Sequence, residues 1–145
     1  MIHGVDTDFL VAVEVSGHVF HQEANVLLDS LLDGGHTFAL APQTLAEFIH
    51  VVTDARRLPT PLTITEALDR AEHWWNAVEV IRVFPDGTTV DNFSGMIRKF
   101  FLGRKRLLDP MHAATFQQHG VRKIITNNDA DYRVLGTLEI VSYRV

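Results

Sequence analysis

Acidic side chains recur where predicted strands give way to predicted helices. Asp6 ends the first strand, Glu47 lies one turn into the helix after the second strand, and Asp109 opens a later helix. Asn128 and Asp129 follow the fourth strand directly. The carboxyl ends of parallel strands share one edge of a sheet, so several of these side chains can converge there. Carboxylates that crowd together resist ionisation unless a cation offsets their charge.

An oxygen-rich cluster of this kind favours a hard divalent ion, Mg²⁺ or Mn²⁺. Such an ion would activate a water molecule and neutralise charge that develops on a phosphate. The chain has no cysteine, which excludes a thiolate metal site and a disulfide framework. The acids therefore favour metal-assisted hydrolysis of a phosphodiester over acyl transfer.

Each acid also has a plainer interpretation. Asp6 and Asp109 could be helix N-caps, where aspartate is favoured. Asp129 could be an ordinary turn residue. Glu47 lies in an apolar run over residues 45–52, where a buried charge is costly and needs a partner. The plainer interpretation of Glu47 is that it forms a buried ion pair with an arginine.

Positive charge is concentrated in one stretch of nine positions, although the net charge is −5. A local basic strip can hold RNA even on an acidic protein; the alternative is a solvated helix end. We predict RNA contacts for its five members, which are Arg98, Lys99, Arg104, Lys105 and Arg106.

Short apolar runs alternate with longer helical stretches along the whole chain. Predicted strands cover residues 2–6, 37–41, 79–84, 122–126 and 139–143. Predicted helices cover residues 7–16, 18–33, 42–54, 63–78, 88–102 and 108–119, with a capping box at Thr63 and Glu66. This alternation predicts an α/β layer fold with a largely parallel sheet.

Composition and patterning bound the class of protein. The chain of 145 residues, 46% of them hydrophobic, contains no linker or repeat, so residues 1–145 are predicted to form one domain. Neither a signal peptide nor a membrane-spanning stretch is recognisable. We therefore expect a soluble cytoplasmic protein with no membrane partner.

Four segments together resemble the PIN-domain nucleases. They are Val5–Ala12 with its leading aspartate, Leu45–Phe48 with its glutamate, the aspartate-led helix of Arg106–Gly120, and Ile124–Tyr132 with its threonine, Asn/Asp and aromatic residues. Each segment alone is a weak signal, but the ordered set spans the chain and is fairly specific.

The resemblance implies a three-layer α/β/α domain with a central, mainly parallel sheet, and cleavage of RNA with bound Mg²⁺ or Mn²⁺. By position, Asp6 and Asp109 would hold the ion most directly and Glu47 would bind or orient it. The fourth acidic position falls on Asn128 or Asp129.

Other residues and partners follow from the same resemblance. Thr126 would hydrogen-bond a carboxylate, and Asp8 is either a supporting acid or an exposed helix residue. Toxin members of the family pair with a small antitoxin and form homodimers. Trp74 and Trp75 could supply such a surface, although core packing is the alternative for each.

Three further interpretations remain open. Asp6-Thr7-Asp8 also resembles haloacid dehalogenase-like phosphatases, but that match leaves Glu47 unexplained. A catalytically silent RNA- or partner-binding module is the non-enzymatic alternative; it would be indifferent to EDTA, unlike a metal-dependent nuclease. His18 and His21 lack the further ligands that a zinc site requires.

Overall fold

The computed structural model describes residues 1–104 and 107–144 and contains one five-stranded sheet. Its strands are β1 Ile2–Val5, β2 Thr37–Leu40, β3 Val80–Arg82, β4 Lys123–Ile125 and β5 Glu139–Val141. They lie in the order β3-β2-β1-β4-β5, and every neighbouring pair is parallel. The chain order therefore reverses on either side of β1, and β1 becomes the central strand.

Seven helices connect and cover the strands within the described residues. They are α1 Thr7–Glu14, α2 His21–Asp33, α3 Pro42–Val52, α4 Ile64–Asn76, α5 Gly87–Phe100, α6 Leu108–Gln118 and α7 Asp129–Arg133. The predicted capping box at Thr63 and Glu66 is present at the start of α4. Gly120 follows α6 with a φ of 72°, a conformation that glycine adopts without a steric penalty.

The helices pack on both faces of the sheet, which gives the predicted three layers. One hydrophobic core combines Phe9, Phe48 and Trp74 with Ile125 of β4. The other core contains Phe116 and its neighbours, together with Ile124 of β4. Adjacent side chains of a strand point to opposite faces, so β4 contributes to both cores. Trp74 is buried, in agreement with its core interpretation.

Gly4 brings β1 and α6 close together. A Cβ atom at this position would lie 3.0 Å from the ring of Phe116 on α6. Any larger residue would therefore push the helix away from the central strand. Since Asp6 follows β1 and Asp109 begins α6, this contact helps to set the spacing between the two carboxylates.

Several local predictions need correction. Residues 129–133 form α7, so the alternative interpretation of Asp129 as an ordinary turn residue is wrong. Asp109 is not an N-cap, because Leu107 occupies that position and Asp109 lies in the first turn. Asp6 does cap α1, accepting a hydrogen bond from the backbone N–H of Thr7.

Across the described residues, we find no helix that combines the length and the apolar character needed to cross a membrane.

Candidate active site

Four of the acidic or amide side chains predicted from the sequence line one cleft. Asp6, Glu47, Asp109 and Asn128 surround a cavity of about 280 Å³ at the carboxyl edge of the sheet. Asp8 also lines it. The topology explains this convergence, because these residues follow or pack beside the carboxyl ends of the central strands.

The carboxylate of Asp6 is buried and held by three donors. The Thr7 backbone N–H donates to Oδ1 over 2.8 Å, and the Tyr132 hydroxyl donates to the same oxygen over 3.1 Å. The Thr126 hydroxyl donates to Oδ2 over 2.8 Å. These bonds fix the orientation of the Asp6 carboxylate. The predicted contact of Thr126 with a carboxylate is therefore present.

Asp8 has one satisfied oxygen and one that is unpartnered. Its Oδ2 accepts a hydrogen bond from the Asn127 backbone N–H over 2.9 Å and lies 3.3 Å from the Thr126 hydroxyl. Its buried Oδ1 has no hydrogen-bond partner. Burial, followed by repulsion from Asp6, raises the pKa of Asp8 to about 7. Asp8 is therefore a further acid of the cleft rather than an exposed helix residue.

Asp109 and Glu47 add two more carboxylates, and within the described residues neither forms an ion pair with an arginine or a lysine. Burial, followed by the charge of Asp6, raises the pKa of Asp109 to about 6. Oε2 of Glu47 is buried without a hydrogen-bond partner. Unpartnered carboxylate oxygens beside other carboxylates make ionisation costly unless a cation enters. The donor set therefore fits a hard divalent ion.

The side chains of His112 and Tyr132 both contact the carboxylate of Asp6. Nδ1 of the fully buried His112 lies 3.5 Å from Oδ1 of Asp6 and 3.3 Å from the Tyr132 hydroxyl. Burial lowers the pKa of His112, but the hydrogen bond to Asp6 and its charge outweigh that effect and raise it overall. No local sequence pattern identifies these contacts, because His112 and Tyr132 lie more than 100 positions after Asp6.

One ligand atom from each of Asp6, Asp109 and His112 lies within 4.8 Å of the other two. The Tyr132 hydroxyl contacts both Asp6 and His112, so Oδ1 of Asp6 and Nδ1 of His112 are already in contact with it. The same hydroxyl also hydrogen-bonds Asp109, which lowers the pKa of that carboxyl, although burial and the charge of Asp6 raise the pKa overall. We accordingly interpret His112 as a positioning residue and the cleft-facing oxygens as the candidate ligands.

Asp129 lies outside the lining of this cleft. Its carboxylate oxygens accept hydrogen bonds from Arg144 over 2.7 Å and from Arg133 over 3.3 Å. The adjacent Asn128 lines the cavity instead. Of the two candidates for the fourth position, the geometry thus brings Asn128 to the other acids.

The basic residue that lines the cleft, within the described part of the chain, is Arg57. Of the predicted RNA contacts, Arg98, Lys99 and Arg104 are exposed. Lys99 borders a different cavity, beside Gln117 and Leu135. Lys105 and Arg106 lie outside the described residues. Sequence reasoning missed Arg57 because it lies in a segment without a recognisable motif.

Residues 5–136 match the family model of the PIN domain. The chain belongs to the PIN domain family. The resemblance inferred from the four sequence segments is thus confirmed, and the PIN fold accounts for the parallel sheet between two helical layers. No haloacid dehalogenase-like interpretation is needed to explain Asp8, since it is an acid of the PIN cleft.

Solved structures of other PIN proteins share this fold. VapBC2 of Rickettsia felis, solved with a promoter DNA fragment, is 13% identical, with a TM-score of 0.72 and coverage of 99% of this chain and 100% of that chain. The VapC20 toxin of Mycobacterium tuberculosis, described as cleaving the sarcin–ricin loop, is 19% identical with a TM-score of 0.67, covering 96% and 98%. FitAcB of Neisseria gonorrhoeae is 15% identical with a TM-score of 0.64, covering 99% and 98%. Among curated proteins, no match was found.

Proposed function

We propose that this PIN domain is a ribonuclease that depends on Mg²⁺ or Mn²⁺ and acts as the toxin of a toxin–antitoxin pair. The observation that carries the proposal is the set of carboxylates in one cleft, with buried oxygens of Asp8 and Glu47 left unpartnered. We further propose that residues 1–145 form one nuclease domain in the cytoplasm.

The residues that would hold the ion are Asp6, Glu47 and Asp109, with the side-chain amide oxygen of Asn128 in the fourth position. When bound, the ion would activate water and offset charge on the scissile phosphate. The pKa values of Asp8 and Asp109, raised by burial and by repulsion from Asp6, support this assignment, since a cation would relieve both effects.

The protein's own contribution is to hold these groups in place. Thr126 and Tyr132 fix both oxygens of Asp6, so its orientation does not depend on the ion. Arg57 places a positive charge beside the acids, where a phosphodiester backbone would pass. The strip of Arg98, Lys99, Arg104, Lys105 and Arg106 would extend that attraction along the strand.

RNA as substrate and an antitoxin as partner rest on the neighbouring folds. One neighbour is described as cleaving the sarcin–ricin loop, and others were solved as toxin–antitoxin complexes. Homodimer formation is proposed on the same basis. The acidic cleft supports hydrolysis independently of those neighbours, because its chemistry follows from residues of this chain.

The direct test is cleavage of varied RNAs by the purified protein with Mg²⁺, with Mn²⁺ and with EDTA. We expect cleavage with either ion and none after chelation, and growth arrest on expression that a cognate antitoxin relieves. A folded, metal-loaded protein that binds RNA but cleaves none would instead support a silent binding module. Harmless expression of soluble protein would contradict the toxin assignment alone.

Paired substitutions at Asn128 and Asp129 should decide the fourth position. Asn128→Ala removes a cleft-facing amide and is expected to lower kcat/KM by about tenfold. Asp129→Asn weakens the pairs with Arg133 and Arg144 and is expected to cost much less activity. Steady-state rates of both variants at saturating Mn²⁺ provide the measurement. The reverse ranking would transfer the role to Asp129.

Tyr132→Phe should weaken metal binding while preserving the packing of the ring. The substitution removes the hydroxyl donated to Asp6, and loss of such an orienting bond typically costs about 10- to 100-fold in affinity. Calorimetric titration with Mn²⁺ measures the effect. Trp75→Phe, a change at a partly buried aromatic residue away from the cleft, is the control. Equal Mn²⁺ affinities for wild type and Tyr132→Phe would show that the Tyr132 hydroxyl does not orient Asp6 for metal binding.

A further inference from the structure

A second cavity adjoins the acidic cleft. It measures about 490 Å³, within the size range of small-molecule pockets. The loop after α1 and the loop between α3 and α4 form its walls. Val11, His18 and Arg57 line both this cavity and the acidic cleft, so the two spaces adjoin each other.

The walls of this cavity combine apolar surface with positive charge. Val15, Leu58 and Leu62 supply the apolar part. Arg57 and Arg70 supply the positive charge, and Glu14 adds a carboxylate to the lining. Arg70 is fixed in place because its Nη1 donates to the backbone carbonyl of Glu14 over 2.6 Å.

The junction between the two spaces has groups suited to an unstacked nucleobase. His18 is partly exposed, and its Nδ1 accepts a hydrogen bond from the Phe20 backbone N–H over 3.0 Å, which fixes the ring. The side chain of Arg57 is 55% exposed and lies 3.5 Å from Asp54, which restrains it. Imidazole rings and guanidinium planes both stack on bases that leave a helical strand.

We propose that this cavity, bounded by His18, Arg57 and Arg70, binds the base and phosphate of a nucleotide that flanks the scissile bond in single-stranded RNA. The assignment rests on the proposed nuclease function and adds a nucleotide subsite to it. The bases of a duplex stay stacked and cannot enter the cavity, so the nucleotide bound there belongs to an unpaired stretch.

Two neighbouring arginines provide a matched test of the charge. Arg56 and Arg57 both pair with Asp54, but only Arg57 lines the cavities. In an Asp109→Asn background, where RNA stays intact, Arg57→Ala should weaken binding of a fluorescein-labelled unstructured RNA by about tenfold. Arg56→Ala should change that affinity by less than about twofold. Equal losses of RNA affinity in the two variants would show that Arg57 contributes only nonspecific positive charge, which would contradict its role in the cavity.

Gly17 allows the cavity to be plugged without disturbing the acids. A Cβ atom there meets nothing within 4 Å and requires no left-handed backbone, and Gly17 lines only the second cavity. Gly17→Trp should lower both RNA affinity and kcat/KM by about tenfold or more. Gly87→Trp, at an equally open and exposed glycine at the start of α5, should not. Calorimetric titration with Mn²⁺ should give the same metal affinity for both variants.

The outcomes separate this assignment from the nuclease function. If the wild type cleaves RNA and Gly17→Trp matches Gly87→Trp in affinity and rate, the subsite is wrong while the function stands. If the wild type cleaves no RNA with metal, the function fails, and the affinities alone decide whether the cavity binds RNA. Loss of antitoxin binding without loss of RNA binding would assign the cavity to the protein partner and overturn the proposal.

Discussion

Asp109→Asn is expected to abolish RNA cleavage and, at the same time, to stabilise the metal-free protein at about pH 8. The substitution preserves shape but removes a carboxylate that would hold the ion, so kcat should fall at least about 100-fold. The gain in stability has a separate cause. Burial and the charge of Asp6 raise the pKa of Asp109 to about 6, so its ionised form is strained in the folded protein.

Cleavage assays with Mn²⁺ and thermal melts in EDTA measure the two effects. Asp29→Asn, the same change at an exposed position on α2, is the control and should alter neither. An Asp109→Asn protein that retains more than about a tenth of the wild-type rate would remove Asp109 from the metal site. A variant that unfolds at lower temperature would contradict the electrostatic argument.

The free energy of unfolding of the metal-free protein is expected to fall by about 1 kcal/mol between about pH 6.5 and pH 8. Asp8 and Asp109 have folded pKa values of about 7 and about 6, above the ordinary value of 3.8. The folded protein thus retains protons that the unfolded chain has released. The contribution of these two groups to the free energy of unfolding is complete at low pH. It is lost as pH rises through their folded pKa values.

Denaturant titrations in EDTA across this range provide the measurement. The pKa of His3 is lowered to about 4, mainly by burial, so this residue acts in the opposite sense but at lower pH. Asp8→Asn should reduce the dependence, because Asp8 contributes more of it than Asp109 does; His112, whose pKa is also raised, acts in the same sense as both. Saturating Mn²⁺ should reverse it, since the ion binds the deprotonated carboxylates. A slope that is unchanged in Asp8→Asn would assign the effect to other groups.

Much of the fold could be predicted from sequence because its signals are local. Apolar periodicity and flanking glycines located all five strands and the six longer helices, with boundaries shifted by a few residues. The capping box at Thr63 is a contact within four residues and was therefore readable. The five-residue α7 was missed because so short a helix has no periodicity of its own.

The candidate site was predictable in part, for a related reason. Asp6, Glu47 and Asp109 mark strand and helix ends, and the parallel topology then brings them together. The hydrogen bond of Tyr132 to Asp6 joins residues 126 positions apart, and no local pattern reports it. Asp129 likewise pairs with Arg144, which lies after β5, in a contact that no local pattern reports. This pairing holds Asp129 outside the cleft that its neighbour Asn128 lines.

The hydrogen bond between Asp6 and Thr126 spans 120 positions and connects the earliest strand to a late one. During translation, β1 is made first but waits for β4 before it gains its second neighbour. At ordinary elongation rates the ribosome needs roughly 6 to 24 s to cover that interval. A nascent chain therefore cannot complete this side of the cleft until most of it has been synthesised.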